Sequence, residues 1–247
     1  FYHINHNIPD SVGVVLRTPV GTIIHTGDFK FDPEPVSEAP ADLRRLAELG
    51  RQGVLLLVSE STDADSPGHQ ISETEVQKTI EEIFKVAPGR ILAATFASLI
   101  TRLQQLIWLS EKYGRKVALE GFSLKQNLVV AQELGYIKIK KGTIIDTREI
   151  DRYKDNEITI LCTGAQGEDR AALMRIANNE HRLITIKPAD SVIFSSSVIP
   201  GNENSVQRLK DTLYKRAGKV YHYATMDIHS GGHAKQCAGW SAKNYTA

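Results

Sequence analysis

Carboxylate and imidazole side chains fall at a few suggestive places in this chain. His6 lies in NHNIPDS, ahead of a short apolar run, and Asp28 ends the run GTIIHTGD. His229 and His233 bracket a Ser-Gly-Gly in DIHSGGH. Imidazole with carboxylate is a donor set that suits Zn²⁺ or Mn²⁺. One His and one Asp separated by a hairpin form only part of such a site. From spacing alone, a turn aspartate and a surface histidine are the simpler account.

A second pattern concerns hydroxyls and glycines. The stretches SEST (59–62), TFAS (95–98), EGFS (120–123), CTGAQGE (162–168), SSS (195–197) and HSGGH (229–233) each follow an apolar run, and nearly all precede a helical pattern. Helix N-termini offer unpaired N–H groups and hold phosphate well. Ser and Thr are also ordinary N-caps. Capping is enough for any one loop; the six together favour a phosphate-handling cleft.

The elements that must position these residues alternate. VGVVLRT (12–18) and GTIIHTGD (21–28) read as a hairpin joined by a tight turn. GVLLLVSE (53–60) is a continuous apolar run, as expected of a parallel strand buried on both faces. From SETEVQKTIEEIFKVA (72–87) to KVYHYAT (219–225), helical and strand patterns alternate, which implies a mostly parallel sheet with helices on both faces. YIKIKKGT (136–143) reads as a solvated edge strand. Trp108 and Tyr113 sit at core-like helical spacing, and His25 reads as structural.

Composition bounds the rest. Of 247 residues, 41% are hydrophobic and 24% charged, the balance of a packed α/β protein. The formal net charge is +1, so a polyanion would need local sites rather than the overall field. No apolar run reaches the ~18 residues of a membrane span. The two cysteines, Cys162 and Cys237, form no Cys-x-x-Cys pair, which suits a reducing compartment and gives no thiolate cluster. Methionine occurs only at 174 and 226, and the chain opens mid-pattern, so it reads as an internal piece of a longer protein.

NHNIPDSVGVVLRTPVGTIIHTGDFKFD, LLVSEST, TFAS, CTGAQGE, FSSSVIPGNE and MDIHSGGHAKQ, taken in order, resemble ribonuclease J. The resemblance implies a partial metallo-β-lactamase αββα fold with an inserted β-CASP parallel-sheet α/β domain. The expected division is 1–68 with 225–236 for the metallo-β-lactamase part, 69–224 for the β-CASP part, and a tail at 237–247 that no pattern places. It implies that His6 and Asp28 are metal ligands, Asp28 bridging two ions. It implies a catalytic set of His233, Asp28 and Glu60. Substrate-binding roles fall on the loop His229, Ser230, Gly231, Gly232 and His233, and on Ser61, Ser98 and Ser123.

The expected activity is hydrolysis of RNA as an endonuclease and 5′-to-3′ exonuclease. Zn²⁺ would serve in a two-metal site, with Mn²⁺ or Mg²⁺ as alternatives. The protein would act in the cytoplasm as a dimer or tetramer, with RNA as partner and no membrane. Other metal motifs of the family are missing from the chain, so by itself it should bind metal and cleave RNA poorly. Leu99 stands where an Asn is usual and Phe122 where an Arg is usual, and the loop reads HSGGH rather than His-Val-Ser-Gly-His. A non-catalytic RNA-binding or assembly subunit of the same family is the alternative. A nucleotide-binding α/β enzyme ranks last, because no Gly-x-Gly-x-x-Gly or Walker sequence is present.

Overall fold

A computed structural model describes residues 1–235. Cys237 and the tail expected at 237–247 lie outside the described residues. The chain divides into two compact units: Phe1–Thr74 with the segment from Ser230, and Glu75–His229.

The first unit holds a four-stranded sheet: β1 (Tyr2–His3), β2 (Val12–Thr18), β3 (Gly21–His25) and β4 (Leu56–Val58), in that order. β2 and β3 form the expected antiparallel hairpin, closing at Thr18 opposite Gly21. β4 joins β3 in parallel. Helix α1 (Leu43–Arg51) starts at Asp42, whose carboxylate accepts the Arg45 N–H at 2.9 Å. Tyr2, Ile4, Ile24, Phe29 and Leu49 form the buried core of this unit. Each such side chain contributes about 1.5–3 kcal/mol on burial.

The apolar run 53–60 departs from expectation. Leu56, Leu57 and Val58 remain 40–50% exposed, because β4 is an edge strand that no element of the described residues covers. An apolar run alone does not reveal how many of its faces are packed. His25 is exposed and local in its bonding, its Nδ1 accepting the Gly27 N–H at 3.0 Å.

The second unit is a six-stranded, wholly parallel sheet. Its strands are β5 (Ile91–Ala94), β6 (Lys116–Glu120), β7 (Ile144–Ile145), β8 (Ile158–Cys162), β9 (Ser191–Phe194) and β10 (Lys219–His222), ordered β10-β9-β5-β8-β6-β7. α2 (Glu73–Val86, its first two residues in the other unit) precedes β5, and α3 (Ile100–Lys112), α4 (Phe122–Glu133), α5 (Ala172–Ala177) and α6 (Glu203–Tyr214) run between the strands. α3 packs with α4, and α5 with α6. Every residue of β5, β8 and β9 is buried, Thr159 and Ser191 included, as expected of parallel strands covered on both faces.

Arginines staple the amino ends of these strands. Arg90 donates to both carboxylate oxygens of Asp190 (2.9 and 2.6 Å), and Arg115 donates to the carbonyls of Gly89 and Ile158. The carboxyl ends are left to the loops. After β5 the chain moves through α3 toward β6; after β9 it moves through α6 toward β10, on the other side. The crossovers diverge between β5 and β9, which makes the carboxyl ends of those strands the topological switch point of the sheet.

Two local readings change. Residues 136–143 form no strand; Gln104 instead accepts the Lys138 N–H (2.5 Å) and donates to its carbonyl (3.1 Å). Trp108 is 37% exposed, so it belongs to the surface edge of α3 rather than to the core.

Candidate active site

In the first unit the chain leaves β3 through Thr26 and Gly27, the latter at φ +64°, a left-handed turn that favours glycine. The turn delivers Asp28, whose Oδ2 lies 3.9 Å from His6 Nε2. His6 Nδ1 lies 2.8 Å from the carbonyl of Gly232. A carbonyl only accepts, so Nδ1 carries the proton and Nε2 presents its lone pair on the side of Asp28. A backbone carbonyl behind the ring and a carboxylate before it is the arrangement of a metal-binding histidine. These two residues therefore fit a divalent cation. Among the described residues no group of three or more His, Cys, Asp or Glu that could hold a metal ion gathers around one point.

Glu60 and His233 form a second pair beside the first. His233 Nδ1 is 3.2 Å from Glu60 Oε1, and the rings of His233 and His6 are 5.3 Å apart between centroids. Burial pushes the Glu60 carboxyl upward, but the Thr62 N–H (2.8 Å) and the neighbouring His233 together outweigh it. The net result is a carboxyl held below its ordinary value, hence ionised at neutral pH.

The loop carrying His233 is anchored residue by residue. Ser230 is fully buried and bonds to Glu73 and to Lys30 Nζ (3.0 Å). Lys30 is itself 1% exposed and lies 3.1 Å from Glu73 Oε1 and 3.9 Å from Asp32. Gln70 accepts the Gly231 N–H (3.2 Å) and donates to the His233 carbonyl (2.8 Å). Gly232 gives its carbonyl to His6. Close approach explains both glycines: a Cβ at 231 would stand 2.4 Å from Gln70 Nε2, and one at 232 would stand 2.5 Å from Asn7 Nδ2 and 2.9 Å from His6 Cε1.

His6, Asp28, Glu60, Gly232 and His233 thus converge from four separate segments, with Ser230 and Gly231 supporting them. Ser61 follows Glu60 and is exposed. Ser98, Ser123 and His229 belong to the other unit. There, the residues preceding α3, α4, α5 and α6 are Leu99, Gly121, Ala171 and Asn202, and none caps its helix through a side chain. Ser98 and Ser123 are therefore exposed hydroxyls rather than caps. His229 is 8% exposed, its ring 6.4 Å from that of Phe96 at the end of β5. Arg102, fully buried on α3, donates to Ser195 and to the Ile228 carbonyl (2.6 Å), just ahead of His229.

Lys30, Asp32, Glu73, Gln70 and Arg102 were not foreseen. The alternation Phe29-Lys30-Phe31-Asp32 reads as an amphipathic stretch with the charges outside, yet Lys30 and Asp32 are both buried. The only available signal was the compact spacing of opposite charges beside Asp28.

A model of the family described as "Ribonuclease J, beta-CASP domain" matches residues 88–213. The Ribonuclease J of Thermus thermophilus is 45% identical over 235 residues, which is 95% of this chain and 41% of that protein. Ribonuclease J 1 of Streptococcus pyogenes is 49% identical, covering 96% of this chain and 42% of its own length. The Ribonuclease J of Helicobacter pylori strain 26695 is 47% identical, covering 95% and 34%. The chain spans about two-fifths or less of these curated relatives. A solved structure of a protein of unknown function from Enterococcus faecalis V583 shares the fold, with TM-score 0.62 at 14% identity over 94% of this chain and 52% of that one.

Proposed function

Since this chain belongs to the ribonuclease J family, we propose that the whole protein, of which it spans part, hydrolyses RNA phosphodiesters with the help of divalent metal. The observation that carries this reading is the convergence of His6, Asp28, Glu60 and His233, with 3.9 Å between the first pair and 3.2 Å between the second.

His6 and Asp28 would hold metal, Zn²⁺ by donor type, with Mn²⁺ or Mg²⁺ as alternatives. A metal ion held by His6 and Asp28 would supply activation of a water and neutralisation of charge on phosphoryl oxygens. The chain's own residues do the rest. The Gly232 carbonyl keeps the proton on His6 Nδ1, so Nε2 stays a donor of electrons. Ionised Glu60 faces His233 Nδ1 at 3.2 Å and so orients the ring, leaving Nε2 as the nitrogen that would meet a phosphoryl or leaving oxygen. The 231–233 loop and exposed Ser61, next to Glu60 in sequence, would contact the phosphate chain. Ser98, Ser123 and His229 would make the remaining RNA contacts. Both endonucleolytic and 5′-to-3′ exonucleolytic cleavage, a cytoplasmic site of action and a dimer or tetramer belong to this reading.

The test is cleavage of a 5′-labelled RNA by the whole protein with Zn²⁺ or Mn²⁺. Asp28→Asn and His233→Ala should each lower turnover at least about 100-fold, in line with removal of a metal ligand or a general acid. Full activity in both variants would sink the reading.

A further inference from the structure

Gln70 lies in the coil between Glu60 and α2, outside every strand and helix. Its side-chain amide nonetheless makes three bonds: Oε1 accepts the Gly231 N–H (3.2 Å), and Nε2 donates to the His233 carbonyl (2.8 Å) and to Asp63 Oδ2 (3.2 Å). The partners fix the amide's orientation, because reversing it would set donor against donor and acceptor against acceptor. Gln70 therefore supplies the donor and acceptor that a neighbouring strand would offer, at a loop that lies in no strand. Asp63 holds the amide from behind. The same device appears elsewhere in the chain. Gln104 pairs with both backbone groups of Lys138, and Gln166 donates to the Ser197 carbonyl (2.7 Å) while accepting the Ile199 N–H (2.8 Å).

We propose that Gln70 is a positioning residue for His233. By fixing the backbone of Gly231 and His233 it sets the imidazole against Glu60. The inference rests on the reading of His233 as a catalytic group. It differs from a plain packing role in one respect: Gln70 contributes little to the core, so its loss moves the loop without unfolding the unit. A carboxylate at this position would keep the acceptor for Gly231 but oppose both the His233 carbonyl and Asp63.

The experiment compares Gln70→Met, Gln70→Glu and His233→Ala in the whole protein. Gln70→Met should lower kcat about 10- to 100-fold, the range for an ångström-scale misplacement, with KM within about threefold and thermal midpoint within about 2 °C. Gln70→Glu should lose at least as much, and adding Asp63→Asn should recover part of it by restoring a donor. In the His233→Ala background Gln70→Met should cost nothing further. Wild-type turnover in Gln70→Met, or an equal loss with His233 already removed, overturns the proposal. Amide hydrogen exchange of the 247-residue chain gives a readout independent of RNA. The Gly231 N–H should lose protection in Gln70→Met, and unchanged protection overturns the proposal. If the wild-type whole protein fails to cleave RNA, the functional reading falls, while the exchange result still decides whether Gln70 holds the loop.

Discussion

His233 Nδ1 and Glu60 Oε1 face each other as an ion pair at 3.2 Å, and neither atom makes a hydrogen bond among the described residues. Each is buried at the atom level, so the pair is satisfied mutually or not at all. This makes Glu60 the determinant of what His233 does.

The first prediction concerns Glu60→Gln. The Glu60 carboxyl is pushed up by burial and brought below its ordinary value by the Thr62 N–H and His233. A carboxyl with a depressed folded pKa stabilises the fold fully above its unfolded value, near ~4.3, and loses that contribution as pH falls through the folded value. Wild type should exceed Glu60→Gln by about 1 kcal/mol at pH 6, a figure kept small because the pair is partly solvated. The gap should close below about pH 4. Urea unfolding at stepped pH measures it; a gap that stays constant down to pH 3 contradicts the assignment.

A second prediction addresses Gly232→Ala. The new Cβ would meet Asn7 Nδ2 at 2.5 Å and His6 Cε1 at 2.9 Å. The His6 ring must shift, and with it the Nε2 that faces Asp28. Turnover of the whole protein should fall about 10- to 100-fold, with a stability change near 1 kcal/mol. A crystal structure with an unmoved His6 ring would show the steric argument to be wrong.

The third prediction tests the buried cluster beneath the loop. Lys30→Met leaves Glu73 and Asp32 buried without the cation they surround, at a cost of about 3–5 kcal/mol. Removing the opposing charge as well, in Lys30→Met/Glu73→Met, should recover at least half of that loss. Equilibrium unfolding of the three proteins decides it, and a double variant as unstable as the single one counts against the pairing.

Much of this architecture was legible in the sequence because its signals are local. The hairpin at 12–25 follows from two β-like runs around a two-residue turn, and β5, β8 and β9 from short, mainly apolar runs. Spacing alone left His6 and Asp28 as a surface histidine and a turn aspartate; their expected roles, and that of His233, come from the resemblance to ribonuclease J. Lys30, Glu73 and Gln70 did not stand out, because their roles depend on partners 43 to 200 residues away in the sequence. β4 misled for the opposite reason: Leu56, Leu57 and Val58 carry a core-like sequence on an edge that the described residues leave open.

A fourth prediction concerns metal affinity. His6 and Asp28 offer two donors, and the described residues gather no third. The chain alone should bind Zn²⁺ on the order of micromolar or weaker, roughly 8 kcal/mol, short of the roughly 10–16 kcal/mol of a complete structural site. Isothermal titration with wild type, His6→Ala and Asp28→Asn checks this. A nanomolar site that survives both substitutions would place the metal elsewhere.

The absence of a side chain at Gly231 constrains which residue can stand at position 70. The space a Cβ would fill is occupied by the Gln70 amide, 2.4 Å away, so a side chain at 231 requires that amide to move. A relative with a serine at 231, as in the pattern His-Val-Ser-Gly-His, should carry a shorter residue at 70 and hold its loop by the serine hydroxyl instead. Transplanting either half alone into this chain should fail where the exchanged pair succeeds.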